Sequence, residues 1–152
     1  FDSSTVKKVV ERLNGRETDI IYGDLIYIKD DKTIRNWKSN DFIDKLLRKG
    51  WMPPHPSVFI KKTVFDKYGL YDISYKISAD YDMIVKLFSK PEIRSIYIPV
   101  TITKMNIGGV SNNSIKNILI KMREDYRIIK KYHIGGLPTL IKKNLSKIIQ
   151  FF

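Results

Sequence analysis

The chain has 152 residues, 43% of them hydrophobic and 29% charged, with a formal net charge of +12. That length is about one domain, and the composition is that of a globular protein able to bury a core. The absence of cysteine excludes a disulfide framework and cysteine-ligated zinc, and no apolar run approaches the ~18 residues of a membrane span.

The first residue is Phe1 rather than Met, so residues are expected to precede it, and no secretory leader pattern is visible. FDSSTVKKVVERLNG reads as a short helix. Ser3 or Ser4 caps it, Val6, Val9, Val10 and Leu13 form its stripe, and Gly15 closes it. Two strand runs follow, Ile20 to Tyr22 and Leu25 to Ile28, and KDDKT is a turn into IRNW. SNDFIDKLLRKG has the pattern of a capped helix ending near Gly50.

Three prolines in WMPPHPSVFI forbid a helix and set an extended approach to a strand over Ser57–Ile60. KKTVFDKYG is a short helix stopped by Gly69, LYDISYKIS is irregular, and a helix is expected over Asp80–Ser89. One strand lies around Ser95–Ile98 and another extended run goes through Met105. NIGGVSNNS is a loop that caps a long helix from Ser114 to Tyr132, striped by Ile115, Ile118, Leu119, Met122, Tyr126 and Ile129. After GGLP, a last helix carries Leu137, Leu140, Ile141, Leu145, Ile148 and Ile149 on one face, with Lys142, Lys143 and Lys147 mostly on the other. Strands alternate with helices and two helices end the chain, so the class is α/β.

The charge is uneven. From Ile115 to the end there are nine Lys/Arg and two acids, a net +7 of the total. A basic amphipathic tail points to an anionic partner, either a membrane surface or nucleic-acid phosphates, or else to a helix packed on its own domain with a solvated lysine face.

Asp80 stands where a helix begins. A carboxylate there is favoured by the helix dipole and free N–H groups, so it is an N-cap on the plainer reading and a general base if it faces a cleft. Asp82 lies two residues on and does not share its helix face. A divalent cation held by Asp80 and Asp82 is a lesser alternative, because such a pair usually sits in a loop. His55, fixed between prolines, is either a presented ligand group or an exposed loop residue. Asp24 ends a strand as a turn residue or a site residue, His133 closes a basic helix, and GGVSN offers backbone to a phosphate only weakly.

The stretch HPSVFIKKTVFDKYGLYDISYKISADYDMIVKLF resembles glycosyltransferase family 2, the inverting GT-A-type sugar transferases. The matching features are a strand ending in Phe59, a short helix, GLYD at Gly69–Asp72, and ADYDM at Ala79–Met83. Upstream, DIIYGD resembles the strand after the family's nucleotide half. Downstream, IYIPVTITKMNIGGVSNN resembles the closing strand and loop of bacterial members that build cell-surface polysaccharide. The likeness covers about residues 1–113, most specifically 55–88. Ala79 stands where the family's acidic pair has its first acid.

This resemblance implies an acceptor-side, C-terminal half of a GT-A-type mixed sheet with flanking helices, over residues 1–113. Residues 114–152 then form a helical basic tail. It implies transfer of a sugar from a nucleotide-sugar donor to a saccharide or lipid-linked acceptor, with Asp80 as base. His55, Asp82 and Asp24 are the expected acceptor-binding residues. The nucleotide-binding half and the ligands of a divalent cation (Mn or Mg) are expected before Phe1, and the fragment alone is expected to be inactive. The expected location is cytoplasmic, peripheral at the inner membrane face through the tail, with no nucleic-acid partner. The alternative is a basic α/β nucleic-acid-binding module without catalysis, its tyrosines and phenylalanines stacking on bases.

Overall fold

The structure, a computed structural model, describes residues 3–13, 17–106 and 115–149. Its elements in chain order are α1 (Ser3–Leu13), β1 (Ile20–Lys29), β2 (Lys32–Trp37), β3 (Val58–Ile60), α2 (Lys62–Tyr68), α3 (Ala79–Phe88), β4 (Ser95–Asn106), α4 (Ile115–Lys131) and α5 (Leu137–Ile149). The class is α/β, a mixed four-stranded sheet flanked by helices. Ser3 and Ser4 fall within α1 itself, and the Gly15 stop and the GGVSN loop lie outside the described residues.

β1 is the centre of the sheet. Its first half pairs antiparallel with β3 (Ile21 opposite Phe59) and its second half antiparallel with β2 (Leu25 opposite Trp37). β4 runs parallel along its other edge. A strand has two edges, so β2 and β3 share one of them end to end. The near-continuous burial of Ile20 to Leu25 follows from this central position.

The register between β1 and β4 slips on both sides of Asp24: Tyr22 faces Tyr97, yet Asp24 faces Thr101. Pro99 lies in the slipped segment, where a missing N–H costs no ladder bond. The two extended runs expected around Ser95–Ile98 and up to Met105 are therefore one bulged strand. Gly23 permits the bulge, because a Cβ there would stand 2.8 Å from the carbonyl oxygen of Val100.

The main core joins β1, α3, α4 and the start of α5 through Ile20, Ile84, Ile128, Ile129 and Leu140. Aromatic rings fill one end of it. Tyr22 meets Trp51 and Phe88 edge-on and stacks with Tyr97, and Phe42 packs on Trp51 and Phe88. A smaller cluster seats α1 through Val9 against Ile21, Ile98 and Ile102, while Val6 and Val10 stay exposed.

Three expectations change. SNDFIDKLLRKG forms only a 3₁₀ turn over Asp44–Lys49. Ser39 does not cap it, because its N–H donates to Asp24 and its hydroxyl to the Gly23 carbonyl. Gly50 closes the turn at φ 75°, packed so tightly on α5 that a Cβ would strike Lys143. On α4 the stripe read from sequence divides: Ile115, Ile118, Leu119 and Met122 are exposed, while Ile129 is buried and Tyr126 packs against the core, with Glu124, Asp125 and Ile128 also buried. On α5 the expected single face divides, with Leu140 buried and Leu137, Ile141 and Leu145 exposed, and Lys143 is buried rather than solvated.

Candidate active site

α3 begins one residue before Asp80, with Ser78 in the N-cap position, so Asp80 lies within the first turn rather than capping it. Its Oδ1 accepts the Tyr81 N–H at 2.7 Å, and the side chain is partly exposed. The irregular segment after α2 folds back beside it and brings Tyr71. The Tyr71 hydroxyl is hydrogen-bonded to His55 Nε2 at 2.7 Å, with the two rings edge-on. Burial, and next the charge of Asp80, push the Tyr71 phenol above its ordinary range. His55 thus pairs with Tyr71, a residue not marked in the sequence, and the Tyr71 phenol senses the charge of Asp80.

This corner is built on α4 and α5. The Glu124 carboxylate accepts the backbone N–H groups of Lys76, Ile77 and Ser78 at 2.8, 3.0 and 2.9 Å. Those donors precede and open α3, so a side chain from a distant helix satisfies what a local cap would. Beside it, Asp125 accepts the Ser78 hydroxyl at 2.8 Å and pairs with Lys143 and Lys121. Lys143 is fully buried, its ammonium 3.6 Å from the centre of the Tyr81 ring. Burial alone would raise the Asp125 carboxyl, but the Lys143 and Lys121 charges outweigh it and hold the pKa below the usual range.

Lys131, at the end of α4, pairs with Asp82 at 2.9 Å and Asp72 at 3.5 Å, tying GLYD to ADYDM. Burial would lower its ammonium, but the hydrogen bond and charge of Asp82 hold it above its ordinary range. Glu124, Asp125 and Lys131 read in sequence only as charges on a basic helix. The available signal was that two acids occupy adjacent positions in a stretch otherwise cationic.

Asp82 has a side chain only 2% exposed, turned toward α4. Asp24 is also buried: its Oδ1 accepts the Ser39 N–H and the Tyr97 hydroxyl, each at 2.9 Å. Burial and the Asp24 contact push the Tyr97 phenol up to about 12. Both carboxylates expected at an acceptor thus hold protein partners in the structure. His133 adopts φ 54° at the end of the α4 turn, beside a cavity of about 580 Å³ that shares no lining residue with the Asp80 corner.

Among the described residues no three acids or histidines converge as a metal site. The described residues by themselves do not offer a divalent-cation site.

No family model and no solved structure matches the chain. It is 28% identical over 123 residues to the PGL/p-HBAD biosynthesis glycosyltransferase of Mycobacterium bovis (strain BCG / Pasteur 1173P2). The identity is the same to the protein of that name from Mycobacterium tuberculosis (strain ATCC 25177 / H37Ra). The match takes in 80% of this chain and 46% of each relative, so the chain spans about half the length of the curated relatives it matches.

Proposed function

We propose that the chain is the acceptor-side half of the catalytic domain of an inverting glycosyltransferase, with Asp80 as general base. Its reaction moves a sugar from a nucleotide-sugar to a saccharide or lipid-linked acceptor in cell-surface glycan synthesis. The observation that carries this reading is the Asp80 corner: a partly exposed carboxylate in the first turn of α3, whose charge reaches Tyr71 of the His55–Tyr71 pair, with the start of its helix braced by Glu124 of α4. Relatives named glycosyltransferases, matched over 80% of the chain, support it.

In the proposed step the Asp80 carboxylate takes the proton of an acceptor hydroxyl. The oxygen attacks the anomeric carbon from the side opposite the leaving group. The bond from that carbon to the diphosphate oxygen breaks, the nucleoside diphosphate leaves, and the configuration inverts. His55 and Tyr71 orient the acceptor next to the base, while Asp24 and Asp82 hold the strand and helix that carry them. The donor site, with any divalent cation, belongs to the other half of the protein.

A nucleic-acid module is less well supported. The rings it would need for stacking, Tyr22, Phe42, Trp51 and Phe88, pack on one another inside the core.

The test uses the full-length protein with manganese and a panel of nucleotide-sugars, following release of nucleoside diphosphate. Release by the native protein and a loss of roughly 10²–10⁴-fold in Asp80→Asn, with nucleotide binding intact, is the expected result. Near-normal transfer by Asp80→Asn removes the base assignment, and no nucleotide binding by the native protein removes the transferase reading.

A further inference from the structure

Residues 69–78 join α2 to α3 without forming a helix or a strand of their own. Apolar burial does little to hold the middle of this stretch, because Leu70 and Ile73 are 72 and 94% exposed. Its last residues are held by Glu124, which accepts the N–H groups of Lys76, Ile77 and Ser78. Its first residues carry Tyr71, the phenol that bonds His55 and senses the charge of Asp80. The Tyr71 ring rests on Phe65, with centroids 6.2 Å apart. An exposed connection with no more than that would open locally at little cost.

Two lysines hold it on either side of Tyr71. The Lys86 ammonium donates to the Leu70 carbonyl at 3.0 Å and to the Gly69 carbonyl at 3.4 Å. Lys131 reaches Asp72 at 3.5 Å. Neither lysine belongs to the stretch, since Lys86 stands on α3 and Lys131 ends α4. Lys131 is itself fixed to Asp82 at 2.9 Å, and that carboxylate is only 2% exposed. Its ammonium also lies over the Tyr75 and Tyr132 rings, 5.5 and 5.2 Å from their centres. A charge-assisted bond to a buried carboxylate fixes a lysine better than an exposed pair does.

Both ties end on the same helix. Lys86 and Asp82 are residues of α3, and so is Asp80. The backbone before Tyr71 is therefore referred to α3 directly, through Lys86. The backbone after it is referred to α3 through Asp72, Lys131 and Asp82.

We propose that Lys86 and Lys131 are positioning residues for the acceptor: by tying residues 69–72 to α3 on both sides of Tyr71, they set the place of the His55–Tyr71 pair relative to Asp80. The inference rests on the acceptor-side reading of the Asp80 corner and adds to it two groups that act only through Tyr71. Reactive geometry tolerates little displacement, so a stretch that drifts weakens the hold on the acceptor hydroxyl although every group of the corner is still present.

The experiment is acceptor kinetics of the full-length enzyme with Lys86→Met and Asp72→Asn, each made also on a Tyr71→Phe background. Asp72→Asn removes the charge that Lys131 holds, yet keeps an oxygen for the Ser74 N–H and leaves the Lys131–Asp82 pair in place. Lys131→Met would instead strip the buried Asp82 of its partner and endanger folding. Each variant should raise acceptor KM about three- to tenfold with donor KM unchanged, and should add less than about twofold once Tyr71 is replaced. A full effect on the Tyr71→Phe background, an equal shift in donor KM, or no shift at all overturns the proposal. Amide hydrogen exchange gives a readout that needs no turnover. In the Lys86→Met, Asp72→Asn double variant the amides of residues 70–75 should exchange about tenfold faster while α3 keeps its protection. Unchanged exchange overturns the ties themselves. Faster exchange in a full-length protein whose native form binds no nucleotide-sugar removes the transferase reading and overturns the role in transfer, with the ties left standing.

Discussion

Glu124 and Ser78, 46 residues apart, are joined by a hydrogen bond of 2.9 Å from the Ser78 N–H to the Glu124 carboxylate. The same carboxylate takes the N–H groups of Lys76 and Ile77, so one side chain of α4 terminates the segment that delivers Asp80. Glu124→Gln puts an amide NH₂ where only acceptors fit. The expected outcome is a loss of about 2–3 kcal/mol in stability, read by urea unfolding. If the native slope is retained and the stability matches the native protein, the bracing role is wrong.

Asp125 and Lys143 form a buried ion pair whose members differ in their remaining support. Asp125→Asn leaves Lys143 buried without its main counter-charge and should cost about 3–5 kcal/mol. Lys143→Met leaves Asp125 with Lys121 and the Ser78 hydroxyl, and should cost less. Denaturant unfolding of the two variants orders them, and the reverse order would overturn the assignment.

The same pair sets an acid response. The Asp125 pKa is depressed in the folded state, so the folded chain binds that proton more weakly than the unfolded chain does. Its contribution is complete above the ordinary aspartate value of about 4 and is lost as pH falls through the lower folded value. Removing Lys143 leaves the desolvation that raises the carboxyl. The acid-unfolding midpoint of Lys143→Met should therefore lie at higher pH than that of the native protein, as followed by circular dichroism.

Tyr81 is fully buried, and its hydroxyl has no hydrogen-bond partner among the described residues, while its ring lies under the Lys143 ammonium. Tyr81→Phe keeps the ring and removes the orphaned hydroxyl, so it should be neutral or slightly stabilising, within about 1 kcal/mol. Tyr81→Leu loses the ring and should be clearly destabilised. Thermal melts of the pair separate the two contributions.

His55→Ala and Tyr71→Phe each break the hydrogen bond beside Asp80. If these groups orient the acceptor, each variant should raise acceptor KM about three- to tenfold in the full-length enzyme with little change in stability. Unchanged KM and turnover in both would remove the pair from the acceptor site.

Much of the framework was legible from local pattern. Branched residues marked two runs that the structure joins into the single strand β1, and apolar periodicity marked α3, α4 and α5. The prolines of PPHP suggested a purely extended approach, yet His55–Ser57 form a 3₁₀ turn and the strand begins at Val58, because proline is compatible with the first positions of a helical turn. His55 and Asp80 were also marked, because their local chemistry is distinctive: an imidazole between prolines and an acid at a helix start. What failed was the direction of faces. Of the apolar stripe on α4 only Tyr126 and Ile129 reach the core, and the structure buries Glu124 and Asp125 as well.

Local pattern carried the α/β class, most of the helix and strand positions and the cationic C-terminal region. These depend on backbone propensity and on spacing within one element. The pairings that had to await the fold are Tyr71 with His55, Ser39 with Asp24 rather than with a helix, and Lys143 buried on Asp125. Each is a pairing between residues 15 or more positions apart. A buried charge gains its stability from its partner and not from its neighbours in sequence, so no local pattern distinguishes it from a solvated one.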